Sequence, residues 1–347
     1  MKKIKNNIIG IVPDLHLQEI LGYSDFLEGG RKDEEKEILD FIVESFKNVN
    51  KIVFLGDCFE TRTPSSSVIK KFVNFIERFK DKKLFILSGN HDQIFGGEKS
   101  SIDFLKEVKD KDWEIITNKV TKIDDNVYSP YFTKSMLEVE TNEEGTKKLM
   151  EMLGDGNILY THQTISDSLT TSGESTNLFN EIILPRKELE KKFKLIISGH
   201  IHNPSAKIDK TIIAGSVFCN EVNETQKYIY KINEDFLEVE KIKLPGRGIY
   251  GLTDPTEEDL NKIPKKSILK VTITKETSTI KINELKEKLK EFDAFVLLSQ
   301  IPHQRKKLII DGNKSLLEFS VEQLLSVYAK EKSISLDKLT HGFDLIK

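Results

Sequence analysis

Five short apolar runs in this chain each stop at residues able to bind a cation or move a proton. Residues 8–12 lead to Asp14, 51–55 to Asp57, 83–87 to Asn90, 158–160 to His162, and 195–197 to His200. Apolar runs of this length, bounded by turn residues, read as strands covered on both faces, because a half-exposed strand would alternate with polar residues. An α/β sheet gathers its functional groups in loops at the carboxyl ends of such strands. The expected fold class is therefore α/β, with five strand ends feeding one site.

Between these runs the apolar residues change to helical spacing. Helices are predicted over 33–47, with Ile38, Leu39, Ile42, Val43 and Phe46 on one face, and over 68–80, with Ile69, Phe72, Val73, Ile76 and Phe79. Both stripes read as core. Closely spaced strands at 211–214, 227–232 and 237–243 predict a second, antiparallel part of the sheet. Residues 163–177 read as a polar loop beside the site. Pro245-Gly246 then breaks the chain, and a Pro/Asp/Glu-rich stretch covers 252–264.

A strand-helix-strand unit follows at 267–274, 282–292 and 294–300, small enough to be a capping domain. Gln304-Arg305-Lys306-Lys307 and Asp311-Gly312-Asn313 read as a linker, after which Leu317, Val321, Leu324, Leu325 and Tyr328 recur at helical spacing. The expected division is a principal domain over 1–245, a cap over 246–302, and a linker with C-terminal helices over 303–347. A length of 347 residues, beyond one typical core, agrees with that division.

Composition excludes several classes. A formal net charge of -3 argues against coating nucleic acid by bulk electrostatics, while leaving room for a local basic groove. Cys58 and Cys219 are the two cysteines, without CxxC spacing, which argues against a disulfide framework and a thiolate zinc site. No stretch approaches the roughly 20 apolar residues that span a bilayer. The N-terminal run is too short for a signal-peptide core, so no membrane association and a cytoplasmic location are expected.

Carboxylate, amide and imidazole suit borderline divalent ions such as manganese, iron or zinc. Asp14 and His16, two apart on an extended strand end, share a face and can grip one ion. Asp57, after the tight turn at Gly56, can bridge two ions about 3.5–4 Å apart. Asn90 offers a neutral oxygen, and His162, His200 and His202 offer imidazoles. Left over is His91, free to stabilise charge on a substrate and protonate a leaving oxygen, with Asp92 suited to orient it. Five of the seven histidines sit in these segments; His303 and His341 receive no role. The pattern is that of a two-metal phosphoester-cleaving site.

Asp-x-His, Gly-Asp-x-x-Glu, Gly-Asn-His-Asp, a lone His and Gly-His-x-His, in this order, resemble the calcineurin-like metallophosphoesterase superfamily over about residues 8–220. That resemblance implies a two-sheet α/β sandwich. It also implies Asp14, His16, Asp57 and His202 on one ion and Asp57, Asn90, His162 and His200 on the other, with Mn2+ commonly used and His91 in the catalytic position. Within the superfamily, Gly56-Asp57-Cys58-Phe59-Glu60, Ser198-Gly199-His200-Ile201-His202-Asn203-Pro204 and Ala214-Gly215-Ser216 are similar to the SbcD nuclease family. The order of phosphoesterase, small cap, linker and terminal helices is similar too.

The SbcD resemblance implies a DNA exonuclease or endonuclease acting in double-strand-break repair and recombination. It further implies a coiled-coil ATPase partner of the SbcC type receiving the C-terminal helices, a homodimer, and a phage or bacterial origin. Glu60 stands where that family often has Asp or His. Arg62, Lys70, Lys71, Arg247, Arg305, Lys306 and Lys307 are candidate phosphate contacts. Two rival functions stay open: a phosphodiesterase or phosphatase for small molecules, and a non-catalytic scaffold of the same fold.

Overall fold

The computed structural model describes residues 7–108, 111–168, 175–176, 180–204, 208–274 and 279–299. Strand β1 (Ile8–Val12) is followed by helix α1 (Lys32–Ser45), β2 (Lys51–Phe54), α2 (Ser66–Ile76), β3 (Lys83–Leu87) and β4 (Trp113–Ile116). Next come β5 (Thr121–Ile123), β6 (Asn126–Ser129), α3 (Asn142–Leu153), β7 (Gly156–Thr161), α4 (Arg186–Lys192), β8 (Phe193–Ser198) and β9 (Thr211–Ile213). The hairpin β10 (Tyr228–Asn233) and β11 (Glu238–Lys243) precedes β12 (Gly248–Thr253), α5 (Glu257–Asn261), β13 (Ser267–Ile273), α6 (Thr279–Leu289) and β14 (Ala294–Ser299).

Two sheets carry the fold. The first has the order β11-β10-β1-β2-β3-β4 and the second β9-β8-β7-β6-β5. β1 to β4 run parallel, and β10 closes on β1 antiparallel. In the second sheet β6 to β9 are parallel and β5 is antiparallel.

The two-residue period of a strand sorts the side chains into layers. Ile9, Ile11, Val53, Leu55, Phe85 and Leu87 of the first sheet meet Tyr128, Ile158, Tyr160, Leu195 and Ile197 of the second. Their neighbours Val12, Ile52, Phe54, Leu84 and Ile86 face the other way, under Ile38, Ile42, Phe72 and Ile76 of α1 and α2. Val127, Leu159 and Ile196 likewise meet Leu149, Leu153 and Leu189 of α3 and α4. The result is an α/β/β/α sandwich, so strands covered on both faces follow from helices outside and a partner sheet inside. Ser65 caps α2 and a Thr141–Glu144 capping box starts α3, which fixes where both helices begin.

Three details differ from the sequence reading. Helix α2 ends at Ile76 and continues as a 3-10 turn through Phe79, where a single helix to 80 is predicted. Strand β9 is parallel and belongs to the second sheet, not to an antiparallel extension with β10 and β11. The strand-helix-strand unit gains β12 as a third parallel strand, in the order β12-β13-β14, from residues just past the Pro245-Gly246 break for which the sequence predicts no element. The predicted linker and C-terminal helices over 303–347 lie outside the described residues, as does most of the polar loop.

A buried ionic joint ties β12 to α1. Arg31, 1% exposed, pairs with Glu34 through two nitrogens at 3.1 and 2.8 Å and donates to the carbonyls of Gly22 and Cys219. Arg247, at the entry to β12, donates to the same Glu34 carboxylate from its amide at 3.0 Å and its guanidinium at 2.7 Å, and reaches Asp293 at 2.6 Å. Arg247 is thereby neutralised within the fold and is not a free phosphate contact.

Candidate metal centre

The loops after β1, β2, β3, β7 and β8 converge above the ends of both sheets. Leu15 and His16 donate their amides to the Asp57 carbonyl at 3.1 and 2.8 Å, which locks the first loop to the second. His16, Asp57 and His200 have φ of 44°, 45° and 73°, the left-handed region that costs a side-chain-bearing residue roughly 1 kcal/mol or more. Gly56 has φ 114°, and a Cβ there would fall inside the His162 imidazole; at Gly89 it would fall on the Asp57 carboxylate. Glycine therefore permits both loops to close on their functional neighbours.

Seven groups meet here. Asp57 Oδ2 lies 3.5 Å from His16 Nε2 and 3.1 Å from His162 Nε2. On one side, His16 Nε2 and His202 Nε2 stand 2.8 Å apart, with Asp14 in the same cluster. On the other, Asn90 Oδ1 lies 3.2 Å from His162 Nε2 and 2.8 Å from His200 Nδ1. Asp14 Oδ2 accepts the His200 amide at 2.8 Å, whereas its Oδ1 is buried without a hydrogen-bond partner among the described residues.

The outer nitrogen of each imidazole decides what these atoms can hold. His16 Nδ1 faces Glu60 at 2.9 Å, His202 Nδ1 faces Glu224 at 3.4 Å, His162 Nδ1 faces the Leu55 carbonyl at 2.7 Å, and His200 Nε2 faces Glu181 at 3.2 Å. The outer nitrogens of His162, His200 and His202 each meet an acceptor, whereas His16 Nδ1 is buried without a hydrogen-bond partner among the described residues, and the four inner nitrogens turn toward one another and toward carboxylate and amide oxygens. Nitrogens 2.8 Å apart, and 3.5 Å from a carboxylate oxygen, are held at that distance by a proton or a metal cation among them. Atoms bonded about 2.1 Å from a metal ion are separated by about 3 Å, so the set fits divalent ions. Glu60, Glu181 and Glu224 stand beside these rings as the carboxylates that orient metal-binding imidazoles do.

Electrostatics tells the same story. Burial raises the Asp57 carboxyl, but His162, His16 and His91 outweigh it and hold the group well below the usual carboxylate range. Burial lowers His162, yet Asp57 and Asp14 overturn that and lift it to about 10. The pocket thus demands positive charge, which a divalent cation supplies. Burial would raise Glu181 and Glu224, but His200 and His202 respectively lead the interactions that bring each down to about 2.

His91 lies outside the two clusters just described but joins His16 and Glu60 in a third group whose ligand atoms lie within 4.8 Å of one another. Its amide donates to Asp57 Oδ1 at 2.8 Å, and its Nδ1 lies 2.7 Å from the Glu60 carbonyl, leaving Nε2 for other work. Asp92 behaves otherwise than expected: instead of orienting His91, its carboxylate accepts the amides of Cys58, Phe59 and Gly89 at 3.2, 3.2 and 2.9 Å. Burial and then Asp57 push it up to about 7 against those three donors. It staples the Asp57 loop to the Asn90 loop. Cys58 packs here as a fully buried thiol, pushed well up by burial and thus unreactive.

A profile of the calcineurin-like phosphoesterase family matches residues 8–204. The chain belongs to that family. The matched span of the phosphoesterase covers β1 to the end of the His202 segment, hence all seven groups and His91. Glu181 and Glu224 are the residues the sequence reading passed over, since neither sits at a strand end. Of the candidate phosphate contacts, Lys71 is bound to Glu35 and the Gln18 carbonyl, whereas Arg62 and Lys70 are exposed. Arg305, Lys306 and Lys307 lie outside the described residues. No described helix is long and apolar enough to cross a membrane.

Proposed function

We propose that this phosphoesterase holds two divalent ions, Mn2+ foremost, and hydrolyses phosphodiester bonds of DNA as the nuclease subunit of an SbcCD-like repair complex. The observation that carries the two-ion reading is Asp57 Oδ2, flanked by one imidazole from each cluster. Asp14, His16, Asp57 and His202 would hold one ion, and Asp57, Asn90, His162 and His200 the other. Such ions neutralise charge that develops on a phosphoryl group and activate water.

The chain's own groups do the rest. The Glu60 carbonyl and the Asp57 carboxylate fix His91 at ring and backbone. A protonated His91 then presents Nε2–H to the leaving oxygen, as an acid positioned beside the phosphate. Glu181 and Glu224 keep two imidazoles in the tautomer that the ions need.

DNA as substrate is supported by a sequence order of segments similar to that of SbcD nucleases and by the three-stranded unit β12–β14 that follows the phosphoesterase sheets. The same likeness supports an SbcC-type ATPase partner, a homodimer, and a cytoplasmic setting in a bacterium or phage-infected host. The test is cleavage of end-labelled duplex and single-stranded DNA in Mn2+ beside a chromogenic phosphodiester, with His91→Ala as control. DNA cut by wild type and spared by the variant supports the proposal. Hydrolysis of the chromogenic ester alone, unchanged by the ATPase partner, points to a small-molecule substrate; silence on all points to a scaffold.

A further inference from the structure

A two-strand hairpin, Gln93–Ile94 paired with Lys99–Ser100, leaves the site two residues after His91. Its base is held by the Ser101 amide on the Asp92 carbonyl at 2.7 Å and by buried Gln93, which donates to the Tyr131 carbonyl at 2.6 Å. At its tip Phe95, Gly96 and Gly97 all have positive φ, of 50°, 69° and 99°. Glycine adopts that backbone freely; phenylalanine does so against its own sterics. Burial gives nothing in return, since Phe95 is 74% exposed. Phe236, exposed to 67% on the distant β10–β11 turn, has no such backbone strain.

We infer that Phe95 is a stacking platform for a nucleobase of the strand whose phosphate lies at His91, an inference that rests on DNA being the substrate. Every base presents a π-face, so one aromatic ring on a firm support grips a strand without reading its sequence. Four residues of chain reach at most about 14 Å, which puts the ring within a few nucleotides of the scissile phosphate. Lys99, exposed on the returning strand and without an ion pair among the described residues, offers a cation for the adjoining backbone. The strain at Phe95 is then explained by substrate binding.

The test compares wild type, Phe95→Gly and Phe95→Trp for binding a labelled single-stranded 20-mer by fluorescence anisotropy, with melting temperatures measured alongside. Phe95→Gly relieves the strained backbone, so it should melt no lower than wild type and bind about five- to a hundred-fold more weakly. Phe95→Trp should restore binding, and its added fluorescence should be quenched by the 20-mer. Unchanged affinity in Phe95→Gly overturns the inference while leaving the DNA reading intact. A clear drop in its melting temperature also overturns it, since the ring would then be structural. Wild type that hydrolyses a chromogenic phosphodiester but neither binds nor cuts DNA removes the DNA reading and this inference with it.

Discussion

Glu34→Gln should be among the most damaging substitutions outside the site. The Glu34 side chain is 1% exposed and is shared by Arg31, itself fully buried, and by Arg247 at 2.7 Å. Removing the carboxylate leaves a buried guanidinium without its counter-charge, which typically costs about 3–5 kcal/mol. With unfolding entropy near 2.1 cal/mol/K per residue, a unit of this size should melt about 5–8 °C lower. Burial raises the Glu34 carboxyl, but Arg31 and Arg247 outweigh that and hold it below its ordinary value of 4.5. A depressed folded-state pKa contributes stability that is present above that ordinary value and is lost as pH falls through the folded one. The difference between wild type and Glu34→Gln, measured by urea unfolding, should therefore be full at pH 7 and shrink below about pH 4.5. A difference under 1 kcal/mol at pH 7, or one that grows on acidification, would refute the reasoning.

His91→Ala should keep its metal by elemental analysis and lose turnover by about 10²–10⁴-fold; a metal-free variant would contradict its placement outside the ligand set. Asp92→Ala strands three amides that the carboxylate now satisfies, so it should cost about 3 kcal/mol or more in urea unfolding and weaken metal binding as the two loops part. Unaltered stability would show that the loops hold without that staple. Gly56→Ala puts a methyl group into His162 on a backbone at φ 114° and should abolish metal binding by calorimetry; normal affinity would mean that the loop has room the geometry denies.

The segments that meet at the candidate site were legible because they coincide with strand ends, where burial makes the apolar runs short and unmistakable. The partners of the ligands were not. Glu181 follows Asn180 just ahead of the apolar Ile182-Ile183-Leu184, and Glu224 lies in a polar stretch without periodicity; their meaning arises from His200 and His202, which approach from elsewhere in the chain. The parallel pairing of β9 with β8 was invisible for a similar reason, as three buried residues fit either sheet and tertiary contacts choose. Adjacency in sequence suggests Asp92 as a partner for His91, whereas its side chain turns inward to backbone amides.

The central claim is one carboxylate shared by two ions, and titration of chelator-stripped protein with Mn2+ by isothermal calorimetry, beside Asp57→Ala, addresses it directly. Two ions bound per wild-type chain and none bound tightly by Asp57→Ala is the expected result. A single ion in wild type, or two still bound by Asp57→Ala, would contradict the account.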